Sequence, residues 1–386
     1  MRTTRCVNLY SAEVRSHSYR KLPELSIESV RVSAYSIPTD APEGDGTFKW
    51  NSTTLVLCEI SAGGESGVGY TYGNKAAALV ADELARKCLT ERSVLDIPAL
   101  HRSMVEQVRN DGSRGIASMA ISALDIALWD LKAKLLTCSV VDLLGAASSS
   151  VAVYGSGGFT TYSHEQLSRQ LSGWAADGIR SVKMKIGAEP DRDLDRVSAA
   201  RDAIGSDVEL FVDANGAYST RQAIWFAQHF VDYHVSWFEE PVSSDRLADM
   251  RRVRDRVPGA IEIAAGEYGY DSLYFRRMLD AEAVDVLQLD ATRCKGFTGF
   301  LQGAAIASSF GCPISAHCAP SLHMHAGCAV TGFRHVEYFH DHARIERMLF
   351  DGFVEPVDGQ LKPDRSRPGL GLTFKRKDAE HFAVNL

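Results

Sequence analysis

The sequence predicts an α/β protein, a closed barrel of eight strand–helix units joined to a smaller α+β domain. Three observations point there. After residue 150, short apolar runs recur with amphipathic stretches between them; before residue 150 the text is strand-like and then helical; and ionisable residues close seven of the eight later runs. The chain of 386 residues, 45% hydrophobic, is long enough for both parts and can fill a large core.

The first 26 residues, MRTTRCVNLYSAEVRSHSYRKLPELS, are basic, lack the apolar run of a signal peptide, and read as an N-terminal extension. From residue 27, IESVRVSAYSI and TTLVLCEISA are rich in β-branched and aromatic residues and read as strands. Between them, PTDAPEGDGTFKWN (38–51) reads as a loop long enough to be a lid, with Phe48 and Trp50 placed to close over a ligand. Residues 75–145 turn helical, with Ala123, Ala127, Leu128 and Leu131 on one apolar face. Residues 27–147 thus form the expected α+β domain.

The barrel is expected over residues 148–350. Its strands are VAVYGS at 151, SVKMKIG at 181, VELFVDA at 208, VSWFEEP at 235, IEIAAGE at 261, VDVLQLD at 284, CPISAH at 312 and HVEYFH at 335. Strands that alternate with helices pair in parallel through right-handed crossovers, and eight such units match a TIM-like barrel. Residues 351–386 carry Gly/Pro punctuation and are expected to pack back on the first domain.

Composition excludes several function classes. A net charge of -7 offers no basic footprint for nucleic acid. No window approaches the roughly 20 apolar residues of a membrane span. Eight cysteines without a CxxC spacing read as reduced thiols, which places the chain in the cytoplasm.

In a barrel of this kind the C-terminal strand ends form the active face. Successive strands bring there Lys183 and Lys185, Asp213 with Asn215, Glu239 with Glu240, Glu267, Asp290, His317 and Glu337. Asp213, Glu239 and Glu267 would repel one another without a cation among them, and oxygen-only ligation suits Mg²⁺ better than zinc. Because side chains alternate, Glu239 is taken as the ligand and Glu240 is left behind it. Lys183 and Lys185 share a strand face, so each disfavours the other's charge; Lys183 is expected to lower the pKa of Lys185, which then acts as a base. Asp290 is placed to orient His317.

These motifs resemble the enolase superfamily, specifically its mandelate racemase subgroup. The resemblance runs from about residue 27 to the C-terminus and rests on KMKIG, FVDANGAY, WFEEP, AAGE, LQLDATRCKGFTG, SAHC and VEYF, supported by ISALDIALWDLKAK and PGLGL. It implies an α+β capping domain over a (β/α)₇β barrel. It also implies Mg²⁺ held by Asp213, Glu239 and Glu267, a Lys185/His317 base pair, Glu337 as a protonated electrophile, and a homo-oligomer. Abstraction of a proton α to a carboxylate, through an enediolate, is the general chemistry of such sites.

Two outcomes stay open. Loss of a β-hydroxyl would convert a sugar acid to a 2-keto-3-deoxy acid, whereas return of a proton by the opposite base would racemise or epimerise a hydroxy acid; either base can take the first proton. The Asp- and Gly-rich 38–51 segment suits the first. Arg293 is an added cation expected to meet the distal end of the substrate, and Asn215 to contact it. His323, His325, His340 and His342 read as hydrogen-bonded or solvated rather than as a second metal site, because their spacing is not diagnostic. A barrel that binds metal without turnover is disfavoured by the complete set of bases.

Overall fold

The computed structural model describes residues 25–386; residues 1–24, most of the N-terminal extension, lie outside them. Three antiparallel strands, β1 (Ser29–Gly44), β2 (Lys49–Ala62) and β3 (Glu65–Tyr72), make the first sheet. β2 and β3 are joined at Gly63–Gly64, both with positive φ (58° and 80°), the backbone a tight hairpin needs. The helix Ile116–Leu135 lies directly on β3: a Cβ at Gly67 or Gly69 would fall 2.3 Å from the carbonyl oxygens of Ala127 and Ala123. The two glycines thus permit close contact between helix backbone and strand backbone. Leu25 and Ile27 already hydrogen-bond with residues 91–94 and belong to this unit.

The 38–51 segment is not a loop. β1 continues to Gly44 and β2 begins at Lys49, with Glu43 opposite Trp50 and Gly44 opposite Lys49. Only the tip turns, where Asp45 Oδ1 accepts from the backbone N–H groups of Thr47 and Phe48 at 2.6 and 2.7 Å. The prolines that suggest a loop lie beside the register shift between Pro38 and Glu43 on an edge strand, where a missing N–H is tolerated. The hairpin reaches the barrel: Thr160 N donates to Gly44 O and Thr160 Oγ1 to Asp45 O, each at 2.8 Å.

All eight expected barrel strands form. They are β4 (Val151–Gly157), β5 (Ser181–Lys185), β6 (Glu209–Asp213), β7 (Val235–Glu239), β8 (Glu262–Ala265), β9 (Val286–Leu289), β10 (Ile314–Ala316) and β11 (Phe333–Phe339). Each pairs in parallel with the next, and β11 pairs with β4 to close the barrel. Alternation divides each strand. Val182, Met184, Leu210, Val212 and Phe238 pack outward in the large core shared with the helices. Tyr154, Phe211, Trp237, Ala264 and Val286 form a separate apolar plug inside the barrel. The helices His164–Ala176 and Thr220–Phe230 each begin with a Ser–Gln capping box, which fixes where two crossovers start.

The helix after β11, His340–Leu349, meets the hairpin, with Arg344 Nη2 donating to Pro38 O at 2.7 Å. The C-terminal segment touches both parts: Gln360–Leu361 pairs antiparallel with β4, and Val384 N donates to Ala34 O at 2.9 Å. The seven cysteines among the described residues are unpaired. No helix among the described residues is long and apolar enough to cross a membrane.

Candidate active site

Register assembles the site. Pairing sets Lys185 beside Asp213 and Asp213 beside Glu239, at one level of the barrel mouth. Asp290 and His317 directly follow the ends of β9 and β10, Glu267 lies two residues past the end of β8, and Glu337 lies on β11. All of these residues, and Lys183, are buried. The side-chain oxygens of Asp213, Glu239 and Glu267 include one from each that lie within 4.8 Å of one another. Three buried acids this close raise the cost of charge. Burial, and then the charge of Asp213, push Glu239 up to about 8. An all-oxygen set of three with this excess of charge fits a hard divalent cation.

The lysines behave differently from the expectation. Lys183 Nζ donates to both oxygens of Glu239, at 2.6 and 2.7 Å, and lies 2.8 Å from Glu337. Lys185 Nζ donates to Asp213 Oδ2 at 2.5 Å. Burial, the largest effect, works against the Lys185 charge, but Asp213, Glu337 and Glu239 together outweigh it and the pKa rises instead of falling; Lys183 lowers it by less than Asp213 raises it. Two ammonium groups on one strand face are thus each matched by a carboxylate.

Glu337 also departs from the protonated donor. Its Oε1 accepts from Ser156 Oγ at 2.6 Å and its Oε2 from Cys318 N at 3.0 Å. Burial raises its pKa, yet Lys183 and then His317 overcome this and hold it well below the carboxylate range. Every near partner donates, so it sits as an acceptor.

His317 matches its expected partner, with Nδ1 2.8 Å from Asp290 Oδ2. Its Nε2 lies 3.4 Å from Glu267 Oε2 and 3.2 Å from Cys318 Sγ. Arg293, expected to meet the distal end of the substrate, is engaged by neighbouring acids. Its Nη1 donates to Glu267 Oε1 at 3.2 Å and to Glu267 O at 3.1 Å, its Nε is 3.6 Å from Asp290 Oδ2, and it covers the Tyr268 ring at 5.2 Å. Its guanidinium still borders the cavity, but its charge is taken by the acids behind it. Burial opposes ionised Glu267, but His317 and then Arg293 hold it down to about 2. Asn215 turns at φ 45°, donates its N–H to Asp213 Oδ1 at 2.8 Å, and faces the cavity with a buried, unpartnered Oδ1.

The cavity above these groups holds about 620 Å³. Thr47, Phe48 and Trp50 of the hairpin, with Thr54, Asn74 and His342, form the wall facing Lys185 and His317.

Comparison with known proteins gives the context for this arrangement. Residues 39–145 match the mandelate racemase / muconate lactonizing enzyme N-terminal domain, and residues 166–379 match the enolase C-terminal domain-like family. The chain belongs to the mandelate racemase/muconate lactonizing enzyme family of the enolase superfamily. The 3,6-anhydro-alpha-L-galactonate cycloisomerase of Streptomyces coelicolor is 31% identical over 91% of this chain and 98% of its own length. The L-talarate/galactarate dehydratase of Salmonella typhimurium is 29% identical over 91% of this chain and 89% of its own. A mandelate racemase/muconate lactonizing enzyme-like protein from Rubrobacter xylanophilus shares the fold with a TM-score of 0.91 at 49% identity, covering 93% of this chain and 100% of that one. An L-talarate dehydratase from Polaromonas, crystallised with Mg and L-glucarate, gives 0.84 at 29% identity over 94% and 98%.

As a member of this superfamily the protein is an enzyme that uses Mg²⁺. Two residues named in the sequence take places that strand alternation and spacing did not give. Glu240 follows β7 at φ 36°, which breaks the strand alternation. It is buried with Oε1 unpartnered, and burial, then Glu267 and Asp213, push its pKa well up. His342 stacks on Tyr72 with ring centroids 3.5 Å apart. The four extra histidines do not converge: His323 lies between Cys318 O and Ala291 N, His325 contacts Leu370 O, and His340 meets Asp40.

Proposed function

We propose that this enzyme dehydrates a sugar acid to a 2-keto-3-deoxy acid, with Asp213, Glu239 and Glu267 as Mg²⁺ ligands. The observation that carries the reading is a cavity with hydroxyl- and amide-bearing walls that presents Lys185 and the Asp290-oriented His317 together. Bound at the three carboxylates, Mg²⁺ supplies Lewis-acid stabilisation of the charge that develops on the substrate carboxylate. Lys183 adds a buried positive charge at the same place, held by Glu239 and Glu337.

Lys185 and His317 move the protons. One takes the α hydrogen as a proton, leaving the C–H electron pair on the substrate. His317 Nε2 then protonates the β-hydroxyl as its C–O bond breaks, and water departs. The resulting enol takes a proton at carbon to give the keto acid. His317 suits this step because Asp290 occupies Nδ1 and leaves Nε2 directed to the reacting groups. The same pair also supports a second reading, racemisation or epimerisation, if the opposite base returns a proton to the α carbon before the hydroxyl leaves.

Lys185→Ala and His317→Asn are each expected to lower turnover by more than about a hundredfold, the scale of general acid–base catalysis. Hexonates, pentonates and aldarates screened for keto-acid formation beside deuterium incorporation in D₂O separate the two readings. Exchange or inversion without keto product selects the isomerase, and wild-type turnover in either variant removes that residue from the mechanism.

A further inference from the structure

The hairpin over the cavity carries a second cluster of ionisable groups away from the barrel-mouth carboxylates. Asp40 and Glu43 lie on β1, and His340 and Asp341 open the helix that follows β11. One ligand atom from each of Asp40, Glu43 and His340 lies within 4.8 Å of the others. His340 Nε2 is 2.9 Å from Asp40 Oδ2. Glu43 is fully buried; its Oε2 accepts from Trp50 Nε1 at 2.7 Å, and its Oε1 has no partner. Asp341 is also fully buried, with Oδ1 held by Arg344 at 2.5 Å and Oδ2 unpartnered.

Two orphaned oxygens on neighbouring buried acids need a shared proton or a cation. The side chains of Asp40 and His340 are 47% and 25% exposed, so an ion can enter from solvent.

We propose that Asp40, Glu43 and His340, backed by Asp341, form a second divalent-cation site that takes a zinc-class ion and fastens the hairpin to the end of β11. Ligand chemistry separates it from the catalytic centre: an imidazole with carboxylates suits zinc, whereas three carboxylates suit Mg²⁺. The site connects to the cavity through Glu43, which holds Trp50, a wall residue that packs edge-on against Phe159 at 5.6 Å. An ion here would therefore hold the cavity wall in place.

The test equilibrates the full-length enzyme with micromolar zinc in the presence of millimolar Mg²⁺ and counts retained zinc by mass spectrometry. Hydrogen exchange across residues 38–51 is followed in parallel. Asp40→Asn and His340→Gln are partly exposed and outside the catalytic set; Glu43→Gln is the buried counterpart. Wild type is expected to retain one more zinc than any of them, with affinity lowered about tenfold or more in each, and zinc is expected to slow exchange in the hairpin of wild type alone. Equal zinc retention in wild type, Asp40→Asn and His340→Gln overturns the site. So does zinc lost only in Glu267→Gln, which would place the ion at the barrel mouth. A hairpin whose exchange ignores zinc favours the shared proton and also overturns it.

Discussion

Replacing Asp290 by asparagine exchanges one oxygen for an amide nitrogen and thereby changes the tautomer of His317. Asp290 Oδ1 accepts from both Thr292 N and Thr292 Oγ1, each at 2.7 Å, which leaves Oδ2 for His317 Nδ1 at 2.8 Å. Two donors from Thr292 require an oxygen at the first position, so asparagine must turn its NH₂ toward the imidazole. Nδ1 then accepts, the ring proton moves to Nε2, and His317 can no longer take a proton there or become an imidazolium beside a counter-charge. General acid–base catalysis contributes about 10²–10⁴ in rate; at 1.36 kcal/mol per decade this is about 3–5 kcal/mol of barrier. The assay is kcat and KM on the acid identified by the screen, with C2 deuterium exchange measured separately. The expected result is a loss of kcat by about a hundredfold or more at nearly unchanged KM, because Asp290 does not line the cavity. Turnover within tenfold of wild type would refute the argument that Asp290 sets the state of His317.

Lys183→Met removes the shared partner of Glu239 and Glu337, 2.6 and 2.8 Å away, and leaves both acids buried. Stability without metal should fall by about 3–5 kcal/mol in urea denaturation, and a loss below about 1 kcal/mol would show that the acids find other partners. Stability should also depend on pH through acids unconnected with the metal. Burial raises Asp125 from 3.8 and Glu346 from 4.5, each to about 7. Their contribution is full below the unfolded values and is lost as pH rises through 7, whereas the buried neutral histidines His101, His325, His335 and His342 act in the opposite sense; in EDTA, Asp125→Asn and Glu346→Gln should therefore lose less stability than wild type between pH 5 and pH 8, and an unchanged pH dependence in both variants would exclude it. Mg²⁺ should raise the midpoint more at pH 8 than at pH 5, because a ligand such as Glu239, held up at about 8, must lose its proton to bind.

The barrel and its ring of ionisable groups were legible because parallel strands bring their C-terminal ends to one face whatever the helices between them contain. Lys183, Lys185, Asp213 and Glu239 needed only strand alternation to be placed. The Asp290–His317 pair across β9 and β10 was also placed; what failed were the charge states set by partners from other strands. The like-charge effect on Lys185 exists, yet Asp213, adjacent across β5–β6, exceeds it. Glu337 was expected to carry a proton, but Ser156, Lys183 and the Cys318 N–H all donate to it. Arg293, read only as a cation for the substrate, has its charge engaged by Glu267, a partner the sequence did not name. The hairpin could have been read from the Asp-Gly pair in EGDGTF, a tight-turn signal between paired strands; the nearby prolines obscured it.

Charge balance joins these corrections. Asp213, Glu239, Glu240, Glu267, Asp290 and Glu337 are six buried acids, and Lys183, Lys185, Arg293 and His317 are the four basic groups among them. With all ten ionised, the mouth lacks two positive charges, the amount a divalent ion supplies. Without that ion, protonation must cover part of the deficit, and the raised pKa values of Glu239 and Glu240 show which acids take it up. Asp213 faces competing demands: the same oxygen that holds the Lys185 ammonium belongs to a carboxylate placed to bind the cation. A carboxylate that shares its charge with a cation holds an ammonium less strongly. The raised pKa of Lys185 therefore describes the resting electrostatics of the side chains alone, and metal loading would lower it toward the range of a base.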